Sequence, residues 1–196
     1  MLRESAQATN ASALTDTHSV YGWVSILLHW LTGLFIIVLW LVGKSILNAE
    51  PEEIDARRAL HVSMAASAWL IVLLRIVWRF RSGHPRVRGL TDRTHRIAKT
   101  AHYIMLFLLL VMLLSGPVMV WTSGHPVLIF DAVSVPGPFA ESETLREFAW
   151  TVHSRAALVL SILVVVHIGA ALKHLMFHSD DTIVRMLWPG NKTETQ

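Results

Sequence analysis

VHSRAALVLSILVVVHIGAALKH, residues 152–174, carries most of the information about this chain's fold. From Ala156 to Phe177 the sequence is almost wholly apolar, with no acidic residue. Such a run spans roughly 30 Å as a helix, the thickness of the hydrocarbon layer of a bilayer. Two histidines, His153 and His167, punctuate it fourteen residues apart. Fourteen residues are nearly four helical turns, so the two rings share a face within about 40° and lie about 21 Å apart along the axis.

Three further stretches have the same character: Trp23–Gly43, Leu60–Trp78 and His102–Trp121. In lipid the backbone must satisfy its own hydrogen bonds, so each is expected to be a helix. The expected fold is an all-α membrane protein, a bundle of four transmembrane helices at about 23–43, 60–78, 102–121 and 150–177. Residues 20–188 form the bundle, flanked by a disordered tail at 1–19 and a short tail at 189–196. The N-terminal stretch has one cation, Arg3, and lacks the apolar run of a signal peptide. Gly116-Pro117 is expected to kink the third helix near its end.

Composition agrees. Hydrophobic residues make up 53% of the 196 and charged residues 16%, where a soluble domain carries about 25% charged residues. The absence of cysteine excludes disulfides, thiolate metal sites, iron–sulfur clusters and covalent haem attachment. The net charge of +3 need not mean nucleic acid, because the basic residues are sorted by side. Arg3, Arg79, Arg81, Arg86, Arg88, Arg93, Arg96, Lys99, Lys173, Arg185 and Lys192 fall on the side of the termini. The other side has Lys44, Arg57, Arg58 and Arg146, with Arg155 just inside the fourth helix. It also holds eight of the fourteen acids. The positive-inside rule then places both termini in the cytoplasm of a multi-pass membrane protein. The loop from Thr122 to Glu147, with Pro126, Pro136 and Pro138, shows no periodicity from which its fold can be read.

Ionisable residues inside membrane helices are costly and are usually functional. His61 and His153 share the outer level of the bundle, and His29 and His167 lie inward from the cytoplasmic ends. A single buried histidine is more often a packed, hydrogen-bonded residue than a ligand. Four that fall into two depth-matched pairs suit two six-coordinate haems, each imidazole donating a lone pair to an axial position. Zinc or copper requires ligands clustered at one point, which this spacing does not provide.

The pieces YGWVSILLHW (21–30), LHVSM (60–64), LLRIVWR (73–79), AHYIMLF (101–107), SGPVM (115–119) and the stretch quoted first, followed by DDTIVRML (180–187), resemble the bacterial cytochrome b561 family of small di-haem inner-membrane cytochromes. The resemblance covers about Tyr21 to Trp188. It implies that His29 and His167 ligate a cytoplasmic-side haem b and that His61 and His153 ligate a periplasmic-side one. The family often has glycine about four residues after the helix-two ligand, where this chain has Met64, Ala65 and Ala66. His102 matches a family histidine and is read as a propionate contact or an interfacial residue. Arg75 and Arg79 are read as propionate contacts or topology charges. Arg57 and Arg58 are read as pairing with an outer propionate, as attracting an anionic donor, or as solvated loop charges. His174 is read as a quinone site or an interfacial histidine.

The implied function is transmembrane electron transfer from a small periplasmic one-electron donor to the quinone pool. Superoxide is the candidate donor and ubiquinone the acceptor, which would make the chain a superoxide:quinone oxidoreductase. The alternative is a haem-b anchor subunit of a larger dehydrogenase, with the outer loop docking a protein partner. Lipid is a partner in either case.

Overall fold

The computed structural model describes residues 14–17, 20–82, 85, 91–177 and 183–189. Four long helices dominate: α1 (Trp23–Leu47), α2 (Ile54–Ser82), α3 (Asp92–Trp121) and α4 (Glu143–Phe177). All four are long and apolar enough to cross a membrane. A short 3₁₀ turn, Pro51–Glu53, leads into α2, and another, Val184–Met186, follows α4. Between α3 and α4 the chain forms an antiparallel hairpin of β1 (Val127–Ile129) and β2 (Val133–Val135), with Leu128 opposite Ser134.

Three helices begin earlier than their apolar stretches, because local polar chemistry extends them beyond the hydrocarbon. Arg57 pairs with Glu53, and Arg58 with Asp55 at 2.9 Å, across the first turns of α2. Thr91 caps α3 by accepting from the Thr94 N–H at 3.2 Å, with Asp92 acidic in the first turn. Arg146 pairs with Glu143 at the start of α4. His61, His102 and His153 therefore sit well inside their helices rather than at the starts expected from hydropathy.

Helix α3 continues through Pro117 to Trp121. Proline removes the donor that would serve the Leu113 carbonyl, four residues back. The Trp69 indole of α2 donates to that carbonyl at 3.2 Å. The buried core, Val72, Ile76, Leu106, Leu109, Leu113 and Leu160, lies between α2, α3 and α4. Helix α1 packs along α2, α3 along α4, and α2 touches α3, but α1 and α4 have little direct contact. Elsewhere leucines, valines and isoleucines such as Leu27, Leu70 and Val165 point outward, as a lipid-facing surface requires.

The hairpin is fastened to α2 by Ser63, whose hydroxyl donates to the Leu128 carbonyl (3.2 Å) and accepts from the Phe130 N–H (3.0 Å). Phe130 and Asp131 turn it with left-handed backbone, φ 48° and 56°.

At the opposite end both terminal segments are tied down. Residues 1–13, 18–19 and 190–196 of the expected tails lie outside the described residues, as do the charges of Arg3, Arg86, Arg88 and Lys192. Asp16, expected in a disordered tail, is instead packed. Its carboxylate accepts from the Gly22 N–H (2.8 Å), Ser25 Oγ (2.7 Å) and Arg79 (2.9 Å). A buried arginine needs a partner, and the N-terminal segment supplies it. The Tyr21 ring has the Arg79 and Arg185 guanidinium groups over it at 5.4 and 5.8 Å. Trp30 donates to the Met186 carbonyl at 2.7 Å, and Trp23 meets Trp188 edge-on.

Candidate cofactor site: two histidine pairs

Helix α4 carries His153 and His167 on one face, and each meets a histidine from across the bundle. The His29 ring of α1 lies 6.1 Å from His167, centroid to centroid. The His61 ring of α2 lies 6.5 Å from His153. The former pair lies nearer the termini and the latter nearer the hairpin. The four residues brought together are those that depth alone pairs in the sequence.

Two imidazoles bound to one metal from opposite sides have ring centroids roughly 6.3 Å apart, since each metal–nitrogen bond is about 2.0–2.1 Å and each centroid lies about 1.1 Å behind its nitrogen. Both pairs meet that spacing. His102 of α3 is also near His167, but at 5.2 Å, which is too close for two axial ligands. It stands beside the pair rather than completing another.

The surroundings also suit a large flat group. Gly43 of α1 and Gly116 of α3 lie against the rings of His61 and His153. A Cβ at Gly43 would come within 3.3 Å of His61 Cε1, and one at Gly116 within 3.5 Å of His153 Cε1. Among the described residues His61 Nδ1 is buried with no hydrogen bond of ordinary geometry, although the His61 ring lies near the Leu39 backbone. His153 Nδ1 is 3.0 Å from Ser115 Oγ, which itself donates to the Val111 carbonyl at 2.7 Å. A hydroxyl has one proton, so Ser115 accepts from Nδ1–H and leaves the lone pair of His153 on Nε2, the tautomer a ligand needs.

The arginines divide. Arg75 reaches His29 Nδ1 and the Ser25 carbonyl, each at 3.4 Å. Arg79, 3% exposed, has Asp16 as its carboxylate partner. Arg57 also donates to the Ser45 carbonyl. His174 is half-buried in the last described turns of α4, about 10 Å along the axis from His167.

Sequence reading missed Ser115 and Asp16. Ser115 had a signal, since it is a polar residue within an apolar stretch, immediately before Gly116-Pro117. Asp16 had none, since a lone acid in a polar tail carries no pattern.

The family of prokaryotic cytochrome b561 matches residues 20–189 of this chain. Cytochrome b561 homolog 2 of Escherichia coli (strain K12) is 30% identical over 181 residues, covering 89% of this chain and 95% of that protein. With four membrane-spanning helices and histidines set in pairs within them, the chain belongs to the prokaryotic cytochrome b561 family, inner-membrane proteins that move electrons across the bilayer on haem b.

Proposed function

We propose that the chain holds two haems b, one between His29 and His167 and one between His61 and His153, and passes single electrons between a periplasmic donor and the membrane quinone pool. The observation that carries this reading is the pair of imidazole spacings, 6.1 and 6.5 Å, set at two depths by one helix. When bound, haem b supplies a ferrous/ferric couple that exchanges one electron without bond making or breaking.

The chain's own residues set the position and surroundings of that couple. The histidines offer neutral imidazole nitrogens that would hold the haem irons, one pair to each haem. The glycines leave room beside the rings. His102, on the terminus side, is the group proposed to meet a propionate, whereas Arg75 is directed at the His29 ring and Arg79, one turn beyond, is taken by Asp16. The skewed distribution of arginine and lysine supports cytoplasmic termini, which puts the His29–His167 pair inward and the His61–His153 pair toward the periplasm.

Ubiquinone is the proposed acceptor at the cytoplasmic end, with His174 as a candidate contact. Superoxide, a small one-electron anion, is the proposed donor. Arg57 and Arg58 mark its side of approach, although each is paired with an acid and their net field is small. The second reading, an anchor subunit that docks a protein donor, is favoured by exposed Leu128, Phe130, Val133, Val135 and Phe139 on the hairpin and the segment after it.

Pyridine haemochrome analysis of the purified protein tests the cofactor reading. Two haems per chain are expected, and one each in His153→Ala and His167→Ala; a single haem in the wild type would overturn it. Stopped-flow mixing with superoxide tests the donor, and no haem reduction on mixing excludes superoxide.

A further inference from the structure

The two histidine pairs differ in what meets their second ring nitrogens. Near the hairpin, Ser115 is 7% exposed and accepts a hydrogen bond from His153 Nδ1. The hydroxyl donates its own hydrogen bond to the Val111 carbonyl, so the ring is held by a chain of neutral groups. Near the termini, His29 Nδ1 is met by a guanidinium, Arg75 Nη2, at 3.4 Å. Guanidinium only donates and keeps its charge. A ring that ligates through Nε2 carries its proton on Nδ1 and cannot accept from Arg75, so Arg75 acts on the site chiefly through its charge. Among the described residues no carboxylate forms a direct ion pair with Arg75; Asp16, which pairs with Arg79, acts on it only at longer range. The arginines at the hairpin end are compensated, Arg57 by Glu53 and Arg58 by Asp55.

We infer that these unlike partners set the two haem sites at different potentials, with Ser115 lowering the hairpin-end site, Arg75 raising the terminus-end site, and the electron therefore held more strongly near the termini. The inference rests on the ligand assignment proposed above. An acceptor on Nδ1–H enriches the imidazole in electron density, makes it a better donor and stabilises ferric iron. A cation without a direct carboxylate partner in a low-dielectric interior favours the reduced, less positive centre. One electron passing from the hairpin-end iron to the terminus-end iron oxidises the first and reduces the second, with no proton exchanged. Both effects make that transfer downhill.

Spectroelectrochemical titration of the full-length, haem-loaded protein tests this without reference to any donor or acceptor. His153→Ala and His167→Ala, each expected to retain one haem, assign the two potentials to their sites. Arg75→Gln is expected to lower the terminus-end potential so that the partition of an electron between the sites falls about tenfold, which is about 59 mV for one electron. Ser115→Ala is expected to raise the hairpin-end potential, moving the partition about threefold in the same sense. Arg75→Lys and Ser115→Thr, which keep the charge and the hydroxyl, are expected to restore most of each shift. Ser115→Ala removes one hydroxyl from a helix interior and carries the test alone if Arg75→Gln does not accumulate. Unchanged potentials, or shifts of opposite sign, in protein that still loses one haem per histidine variant overturn this inference alone. Retention of both haems in both histidine variants overturns the ligand assignment and this inference with it.

Discussion

Asp16 and Arg79 form an ion pair at 2.9 Å with side chains only 1% and 3% exposed, although 63 positions separate them in sequence. A buried pair that loses one partner leaves an uncompensated charge, at a cost of about 3–5 kcal/mol. Asp16→Ala is expected to destabilise the protein by about that amount. Asp16→Asn keeps one acceptor oxygen, enough for the Gly22 N–H but not for Ser25 and Arg79 as well, and is expected to cost somewhat less. Thermal unfolding in detergent, followed by intrinsic tryptophan fluorescence, measures both; equal stability of Asp16→Ala and wild type would show that the pair contributes nothing.

Trp69 stands in for the backbone donor that Pro117 lacks. Trp69→Phe keeps the apolar ring and removes the N–H, leaving the Leu113 carbonyl unpaired in the bundle. A loss of roughly 0.5–2 kcal/mol is expected. The cost should vanish when Pro117→Ala is added, because alanine restores the helical donor. A double-mutant cycle on unfolding free energy reads this coupling, and strict additivity would contradict it.

Gly43 borders His61 so closely that a methyl group would lie 3.3 Å from Cε1. Gly43→Val is therefore expected to displace the His61 ring and halve haem content, sparing the site of His29 and His167. Haem quantification with redox titration distinguishes this from general misfolding: one component should disappear and the other keep its potential.

Ser63 holds the hairpin through two hydrogen bonds, to Leu128 and from Phe130. Ser63→Ala is expected to raise hydrogen–deuterium exchange across residues 127–135 at least several-fold while exchange in α3 stays unchanged. Unaltered exchange in the hairpin would mean that its turn and strand pairing suffice without α2.

The spans were legible because a bilayer imposes a length and a polarity that a hydropathy count reads directly. The helix ends were not, because they extend on caps and ion pairs such as Thr91 with Thr94 and Arg58 with Asp55, which lie outside the apolar windows. His153 and His167 were legible as a pair on one face from helical periodicity, and depth was enough to select His61 and His29 as their neighbours across the bundle. The closeness of His102 to His167 was not legible, since it depends on how α3 is rotated against α4. The hairpin had no sequence signature: its turn places Phe130 and Asp131 at positive φ, where glycine or asparagine would have signalled it. Asp16 was illegible because nothing local marks its partner.

Arg79 has two successive roles over the lifetime of the chain. On the proposed orientation, its charge is one of those that keep the following loop in the cytoplasm while α2 enters the membrane. Once Asp16 closes on it, that charge is neutralised and sealed from solvent. A topological signal used during insertion thus becomes a latch in the finished molecule. N-terminal truncations that stop before Leu14 should insert and mature normally, whereas those that remove Asp16 should insert in the correct orientation yet leave the bundle unlatched.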